Sequence, residues 1–122
     1  MAEPEWPEVG VQVDREKIRN LPTSVYLEKE FRVKLFSKAY EKSGSLRRIA
    51  INMGYPSRPG LNGTARDMWL GKRGIGRHKI EYLLKLTGIP IDELINNIVP
   101  KDKSVEIDDW LRSYINYKSN RK

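Results

Sequence analysis

The residues best suited to chemistry in this sequence are cations concentrated in its middle. Between residues 42 and 79, nine basic residues stand against one acid, Asp67, so this basic segment carries a net charge of +8. The whole chain carries +7, and the remaining residues therefore sum to −1. A positive charge concentrated in this way is typical of a surface that binds a polyanion, because lysines that only keep a protein soluble are spread more evenly.

Residues that could support catalysis or metal binding are few. The chain of 122 residues has no cysteine and a single histidine, His78, which excludes thiol chemistry and cysteine-based zinc sites. The acid pairs at 92–93 and 108–109 are adjacent in sequence, so the two carboxylates of each pair would not share a helix face. The glycines at 74 and 76 follow no predicted strand and lack the Lys-Ser/Thr pair of a phosphate-binding loop. We expect no enzyme activity, no metal and no cofactor.

Length and hydropathy place the chain among single-domain proteins of ordinary size. No apolar run approaches the roughly 18–20 residues that span a bilayer. The first five residues, Met-Ala-Glu-Pro-Glu, lack the basic and apolar regions of a signal peptide. We therefore expect a cytoplasmic protein without a membrane partner.

Apolar periodicity predicts that helices position the basic segment. A long helix is expected over 25–41, capped by either Thr23 or Ser24. A second, short helix over 46–53 should be capped by Ser45 and end at Gly54, because a left-handed conformation costs glycine little.

A loop and three further helices are expected downstream. The loop, 55–63, is rich in proline and glycine. A third helix over 64–70 should begin with a capping box between its first residue and Asp67. Helices over 77–87 and 91–98 follow, each with an apolar stripe.

These elements predict an all-α fold: a compact five- to six-helix domain containing a helix-turn-helix, with a short N-terminal extended arm or strand. Residues 1–22 form the arm, in which alternating valines at 9–13 favour a strand. Residues 23–100 form the helix-turn-helix domain. Residues 101–122 form a polar linker, an amphipathic C-terminal helix and a polar tail that would suit a linker to a larger protein. The apolar stripe of that helix packs either across the domain or, through 105–117, against a second copy in a homodimer.

The second helix and its turn resemble a known family. The segment Leu46-Arg47-Arg48-Ile49-Ala50-Ile51-Asn52-Met53-Gly54 is similar to the second helix and turn glycine of lambda-repressor-like (Cro/Xre-type) DNA-binding domains. Trp69 stands where that family often has an aromatic residue, and 80–94 looks like its closing pair of helices. The resemblance covers 35–98. It departs from the family in the leucine that begins the second helix, where glutamine is frequent, and in a loop longer than the usual turn of about three or four residues.

The resemblance implies that the third helix enters the major groove and brings its first side chains to base edges. Arg66 is the best candidate for a base contact, since its planar guanidinium matches guanine O6 and N7. Thr64 and Asn62 are further candidates, each with a structural alternative: a helix cap for Thr64 and an Asx-turn for Asn62. The expected phosphate contacts are Ser45, Arg47, Arg48, Arg58, Lys72 and Arg73.

The resulting hypothesis is a duplex DNA-binding protein that regulates transcription or targets a larger protein. One alternative is an RNA-binding module on the same basic surface, although no paired aromatics on strands are predicted to stack bases. A second alternative is an adaptor, in which the helix that carries Trp110 docks into a partner's groove.

Overall fold

The described chain is mostly helical, as the sequence predicted. The computed structural model describes residues 14–104 and 109–120. Its helices are α1 Arg15–Arg19, α2 Lys29–Ser43, α3 Leu46–Asn52, α4 Leu61–Trp69, α5 Arg77–Thr87, α6 Ile91–Ile95, α7 Lys101–Ser104 and α8 Asp109–Asn120. Two short strands, β1 Ser24–Val25 and β2 Ile75–Gly76, pair antiparallel, with Ser24 opposite Gly76. The expected all-α class is confirmed, and the strand predicted at 9–13 lies outside the described residues.

Helix α2 begins later than the sequence predicted. The chain is extended through β1, and Leu27 then forms an isolated antiparallel bridge with Ile98. Glu28 caps α2, and its carboxylate accepts a hydrogen bond from the Phe31 amide at 3.1 Å. The predicted start at 25 and the cap at Thr23-Ser24 are wrong, because backbone pairing with distant segments prevails over the local helix signals.

The start and end of α3 agree with the prediction. The Ser45 hydroxyl accepts a hydrogen bond from the Arg48 amide at 3.1 Å, which satisfies one of the unpaired donors of the first turn. Gly54, just beyond the helix, has a φ of 94°. This left-handed conformation is open to glycine and costly for most other residues.

Helix α4 begins three residues earlier than predicted. Its first residue is Leu61, and the preceding Gly60 has a φ of 80°. Thr64 is therefore inside the helix, so the predicted capping box with Asp67 is wrong. The sequence signal was misleading because the helix start is set by a glycine that can adopt a left-handed conformation, and no side chain caps it.

The remaining elements follow the prediction in part. α5 spans the predicted 77–87. α6 ends at Ile95 rather than at the predicted 98, and Ile98 forms the isolated antiparallel bridge with Leu27. The predicted linker at 101–104 is the helical turn α7. Ile18 and Leu21, placed in the N-terminal arm by the sequence, are buried in the same core as the central helices.

The core is centred on Trp69, whose side chain is fully buried. Its ring stacks with Phe36 at a centroid distance of 6.1 Å and meets the edge of Tyr114 at 5.9 Å. Leu111 and Ile115 of α8 are also buried, so this helix packs within the domain. No described helix has the length and the apolar composition needed to cross a membrane.

A buried arginine connects α2 to the end of α4. Arg32 is 2% exposed, although it lies within the apolar face of α2. Its Nε donates to the Trp69 carbonyl at 2.7 Å, and its Nη1 donates to the Leu27 carbonyl at 2.8 Å. A longer contact of 3.5 Å joins Nη2 to the Leu70 carbonyl. The guanidinium thereby satisfies carbonyls at the C-terminal end of α4, where a positive charge is favoured by the helix dipole.

Candidate nucleic-acid interface

Helices α3 and α4 form a two-helix unit held against the core. They pack most extensively against each other, and α2 and α5 pack behind α3. The inner face of α4 is buried through Leu61, Ala65, Met68 and Trp69. These positions recur at helical spacing, so the opposite face of α4 must be turned to solvent.

The outward face of α4 carries Asn62, Gly63 and Arg66. Asn62 and Arg66 are exposed and lie one helical turn apart. Thr64 is only 7% exposed, so it faces the core and is not available for the base contact proposed from the sequence. Asp67 is partly buried and approaches Arg66, with 4.0 Å between its Oδ1 and the guanidinium Nε.

Gly63 is unusual because it lies inside a helix, where neither its backbone conformation nor close packing requires glycine. Its conformation is helical, with no positive φ. A Cβ built at this position would meet only the Arg66 Nη2 atom, at 3.9 Å. Glycine inside a helix costs roughly 0.5–1 kcal/mol relative to alanine, so here the chain accepts a cost that packing does not explain.

Two of the predicted phosphate-contact residues are engaged within the chain. Ser45 caps α3 through its hydroxyl. Arg47 donates from Nη1 to the Arg58 carbonyl at 2.9 Å and from Nη2 to the Ser57 hydroxyl. Arg47 therefore fixes the long turn before α4, and we assign it a positioning role rather than a direct contact.

The other predicted phosphate-contact residues remain on the surface. Arg48, Arg58, Lys72 and Arg73 are all exposed. Within residues 14–104 and 109–120, none of these four has a carboxylate within 4.0 Å. Four basic side chains outside the basic segment are paired with acids: Arg15 with Glu81, Lys17 with Asp92, Lys34 with Glu93, and Lys85 with Glu81. The acids of these pairs lie on α5 and α6, away from the turn before α4 and the segment after it.

Tyr55 is a site residue that the sequence did not indicate. The Lys79 ammonium lies 4.6 Å from the centroid of its ring, and the Arg73 guanidinium carbon lies 6.0 Å from the same centroid. Lys79 Nζ also donates to the Gly54 carbonyl at 3.2 Å, and burial lowers the pKa of Lys79. These residues lie far apart in sequence, and only the fold brings them together.

Helix α8 contributes a second unpredicted site residue, the cation Arg112. Arg112 and Asn116 line a recess of about 270 Å³ together with Arg66, Leu70 and Lys72. The C-terminal helix therefore runs beside the outward face of α4. No charge pattern in the sequence linked these segments.

The outward face of α4 and the exposed cations beside it form a candidate binding surface. Among the described residues, no group of three or more His, Cys, Asp or Glu side chains is close enough to hold a metal ion. The chain matches no protein-family model, no curated protein and no solved structure. What this surface binds must therefore be inferred from its geometry and charge.

Proposed function

We propose that this protein binds duplex DNA through α4 and regulates transcription or targets a larger protein to DNA. The observation that carries the proposal is the outward face of α4, which presents Asn62, Gly63 and Arg66 and is bordered by four exposed cations without carboxylate partners. An α-helix of this kind fits the major groove of B-DNA, which is about 12 Å wide. The resemblance to lambda-repressor-like domains implies the same geometry, and a cytoplasmic location belongs to this proposal.

Gly63 supports a close approach of α4 to its ligand. The missing side chain leaves space on the outward face between Asn62 and Arg66, and no residue of the described chain fills it. Glycine is used where a backbone must come close to a ligand. A helix seated deeply in a groove accounts for this glycine, whereas an ordinary solvated face does not require it.

Direct reading of bases is assigned to Arg66 and Asn62. Arg66 carries a planar fork of donors that matches guanine O6 and N7, and Asn62 can pair with adenine N6 and N7. Exposed Arg48, Arg58 and Lys72 have neither a base-reading position on α4 nor a carboxylate partner within residues 14–104 and 109–120, so we assign them to phosphates. RNA is the weaker alternative, because the major groove of an A-form helix is too deep and narrow for side chains to read.

Salt dependence of binding tests the electrostatic part of the proposal. Four phosphate contacts from Arg48, Arg58, Lys72 and Arg73 predict a slope of about −3.6 for log affinity against log salt. Between 50 and 200 mM salt, affinity for duplex DNA should then fall roughly 150-fold. The measurement compares duplex DNA, duplex RNA and single strands at equal ionic strength. A flat response, or tighter binding to RNA, would remove the proposal.

Selection of sites from random duplex DNA, followed by two variants, tests the assignment of roles. Arg66→Ala should cost about 1–3 kcal/mol on the selected site and relax discrimination at one base pair. Arg48→Ala should weaken all duplexes alike and reduce the salt slope by about one. Lys38→Ala, on the exposed face of α2, is the matched control and should leave binding unchanged. If Arg66→Ala weakens all sequences equally, α4 does not read bases at that position.

The symmetry of the selected site tests the proposed homodimer. A palindrome would indicate that two copies bind together. Trp110 and Tyr117 of α8, which are 54% and 57% exposed, are the proposed contact within 105–117. A single, asymmetric half-site together with a monomeric solution mass would exclude this dimer.

A further inference from the structure

A cationic recess lies between the end of α4 and the start of α5. It has a volume of about 480 Å³ and is formed where the turn after α4 meets β1 and the turn after α3. Small-molecule sites commonly enclose roughly 300–1,000 Å³, so the recess is large enough for a compact metabolite. It does not include the base-reading residues, because neither Asn62 nor Arg66 lines it, but it shares Lys72 and Arg73 with the proposed phosphate contacts.

The charge of the recess selects an anion. Lys72, Arg73 and Lys79 line it together with His78, and no acidic side chain is among its lining residues. Three cations that converge without a carboxylate repel one another, and a bound anion removes that repulsion. Lys79 is partly buried, which lowers its pKa, so its charged form would gain from an anionic neighbour.

The recess also supplies hydrogen-bond donors and a rigid wall. Ser24 and Tyr26 bring hydroxyls to its lining, and Gly76 places the start of α5 beside it. No side chain caps α5, so the helix dipole adds partial positive charge there, although its first amide, that of Arg77, donates to the Thr23 carbonyl at 2.9 Å. Gly74 closes the wall tightly, since a Cβ at this position would lie 2.9 Å from Tyr26 Cε1 and 3.0 Å from Ser24 Cβ.

A phosphate monoester fits this recess better than the backbone of duplex DNA. A monoester carries a charge of about −1.5 to −2 at pH 7 and offers three acceptor oxygens, which suits three converging cations. A phosphodiester in a duplex carries one charge and has a sugar on each side, so it matches three converging cations less well. Arg48 and Arg58, which do not line the recess, remain available for duplex phosphates, whereas Lys72 and Arg73 would serve both ligands.

We propose that the recess binds a small organic phosphate, with the phosphate against Lys72, Arg73 and Lys79 and the organic part against Tyr26 and Tyr55. Phosphate recognition by lysine and arginine is charge-assisted, and tyrosine rings offer apolar area beside polar tips. This site requires no DNA. The titration below is done without DNA, so its outcome does not depend on the proposed DNA binding, although both sites use Lys72 and Arg73.

Calorimetric titration of the full chain, without DNA and at low ionic strength, tests the proposal. The probes are adenosine 5′-monophosphate, adenosine without phosphate, and the dinucleoside ApA, which contains a diester but no monoester. We expect the monophosphate to bind at least tenfold more tightly than either of the other two. Equal binding of adenosine would show that the phosphate is not recognised, and equal binding of ApA would show that the recess is a backbone contact; either result overturns the proposal.

Variants locate the binding in the recess. Lys72→Gln alters an exposed side chain without a carboxylate partner, so the fold should be retained and the affinity for the monophosphate should fall roughly tenfold. Lys79→Gln should lower it at least as much, with circular dichroism confirming the fold. Lys38→Gln on α2 removes the same charge away from the recess and should leave the affinity unchanged. Absence of binding at millimolar monophosphate, or an equal loss in Lys38→Gln, would overturn the assignment.

Discussion

Arg32→Met should destabilise the protein strongly, although methionine is similar in length to arginine and suits an apolar environment. The guanidinium of Arg32 is buried and donates to the carbonyls of Trp69 and Leu27 at 2.7 and 2.8 Å. Both residues are almost fully buried themselves, so water cannot easily replace the lost donor. The substitution therefore leaves two main-chain acceptors without the Arg32 donor, one at the end of α4 and one just before α2.

The magnitude follows from these two acceptors. An unsatisfied buried polar group costs about 1–3 kcal/mol, so two of them cost roughly 2–6 kcal/mol. Methionine avoids the desolvation of a guanidinium, which offsets part of this cost. We therefore expect the free energy of unfolding to fall by about 2–4 kcal/mol. The third contact, at 3.5 Å to the Leu70 carbonyl, is too long to add much.

Guanidinium chloride denaturation followed by circular dichroism measures this change. Lys38→Met, on the exposed face of the same helix, is the matched control and should shift the free energy of unfolding by less than about 0.5 kcal/mol. Arg32→Lys should be intermediate, because one ammonium cannot reproduce the fork that reaches two carbonyls. A loss below about 1 kcal/mol for Arg32→Met would refute the view that carbonyl capping by Arg32 stabilises the end of α4.

Three further predictions concern the turn, the C-terminal helix and pH. Gly60→Ala should lower the free energy of unfolding by about 1–2 kcal/mol, because φ is 80° at this position. Gly63→Ala, inside α4, should instead raise it by about 0.5–1 kcal/mol and weaken DNA binding. Equal effects of the two variants on stability would contradict the inference that only Gly60 needs a left-handed conformation. In thermal or chemical unfolding, Leu111→Ala should cost about 2–4 kcal/mol because Leu111 is buried. Trp110→Ala should cost under about 1 kcal/mol because Trp110 is half exposed. Similar losses in the two variants would contradict the packing of α8 through Leu111. The Asp92 carboxylate lies 2.6 Å from the Lys17 ammonium, and its hydrogen bond and charge raise the pKa of Lys17 above 10.5. The stability that this ion pair contributes is therefore fully present below pH 10.5 and is lost as the pH rises through the folded-state pKa of Lys17. Asp92→Asn should remove this loss, and melting temperatures at about pH 8 and 11 would contradict the prediction if the variant and the wild type changed equally.

Local sequence determined the elements whose ends are set by neighbouring residues. The start of α3 at Ser45 and its end before Gly54 follow from a hydroxyl cap and a left-handed glycine, and both were predicted. The bounds of α5 were predicted as well, because its apolar stripe is regular and Gly88 follows it. The core position of Trp69 agrees with its helical spacing from the buried Leu61, Ala65 and Met68. In each case the decisive interaction lies within a few residues along the chain.

Tertiary structure decided the features that depend on distant partners. The pairing of β1 with β2 makes α2 begin later than predicted, and no local sequence signal at 23–25 indicated this pairing. The burial of Arg32 depends on carbonyls at the end of another helix, since a lone arginine in an apolar stripe carries no sequence mark of its partner. Thr64 is buried inside α4 because the helix begins after Gly60, three residues earlier than predicted. The charge of the basic segment was readable from composition, but which cations are paired, and which converge beside Tyr55, depends on three-dimensional distances that the order of residues does not contain.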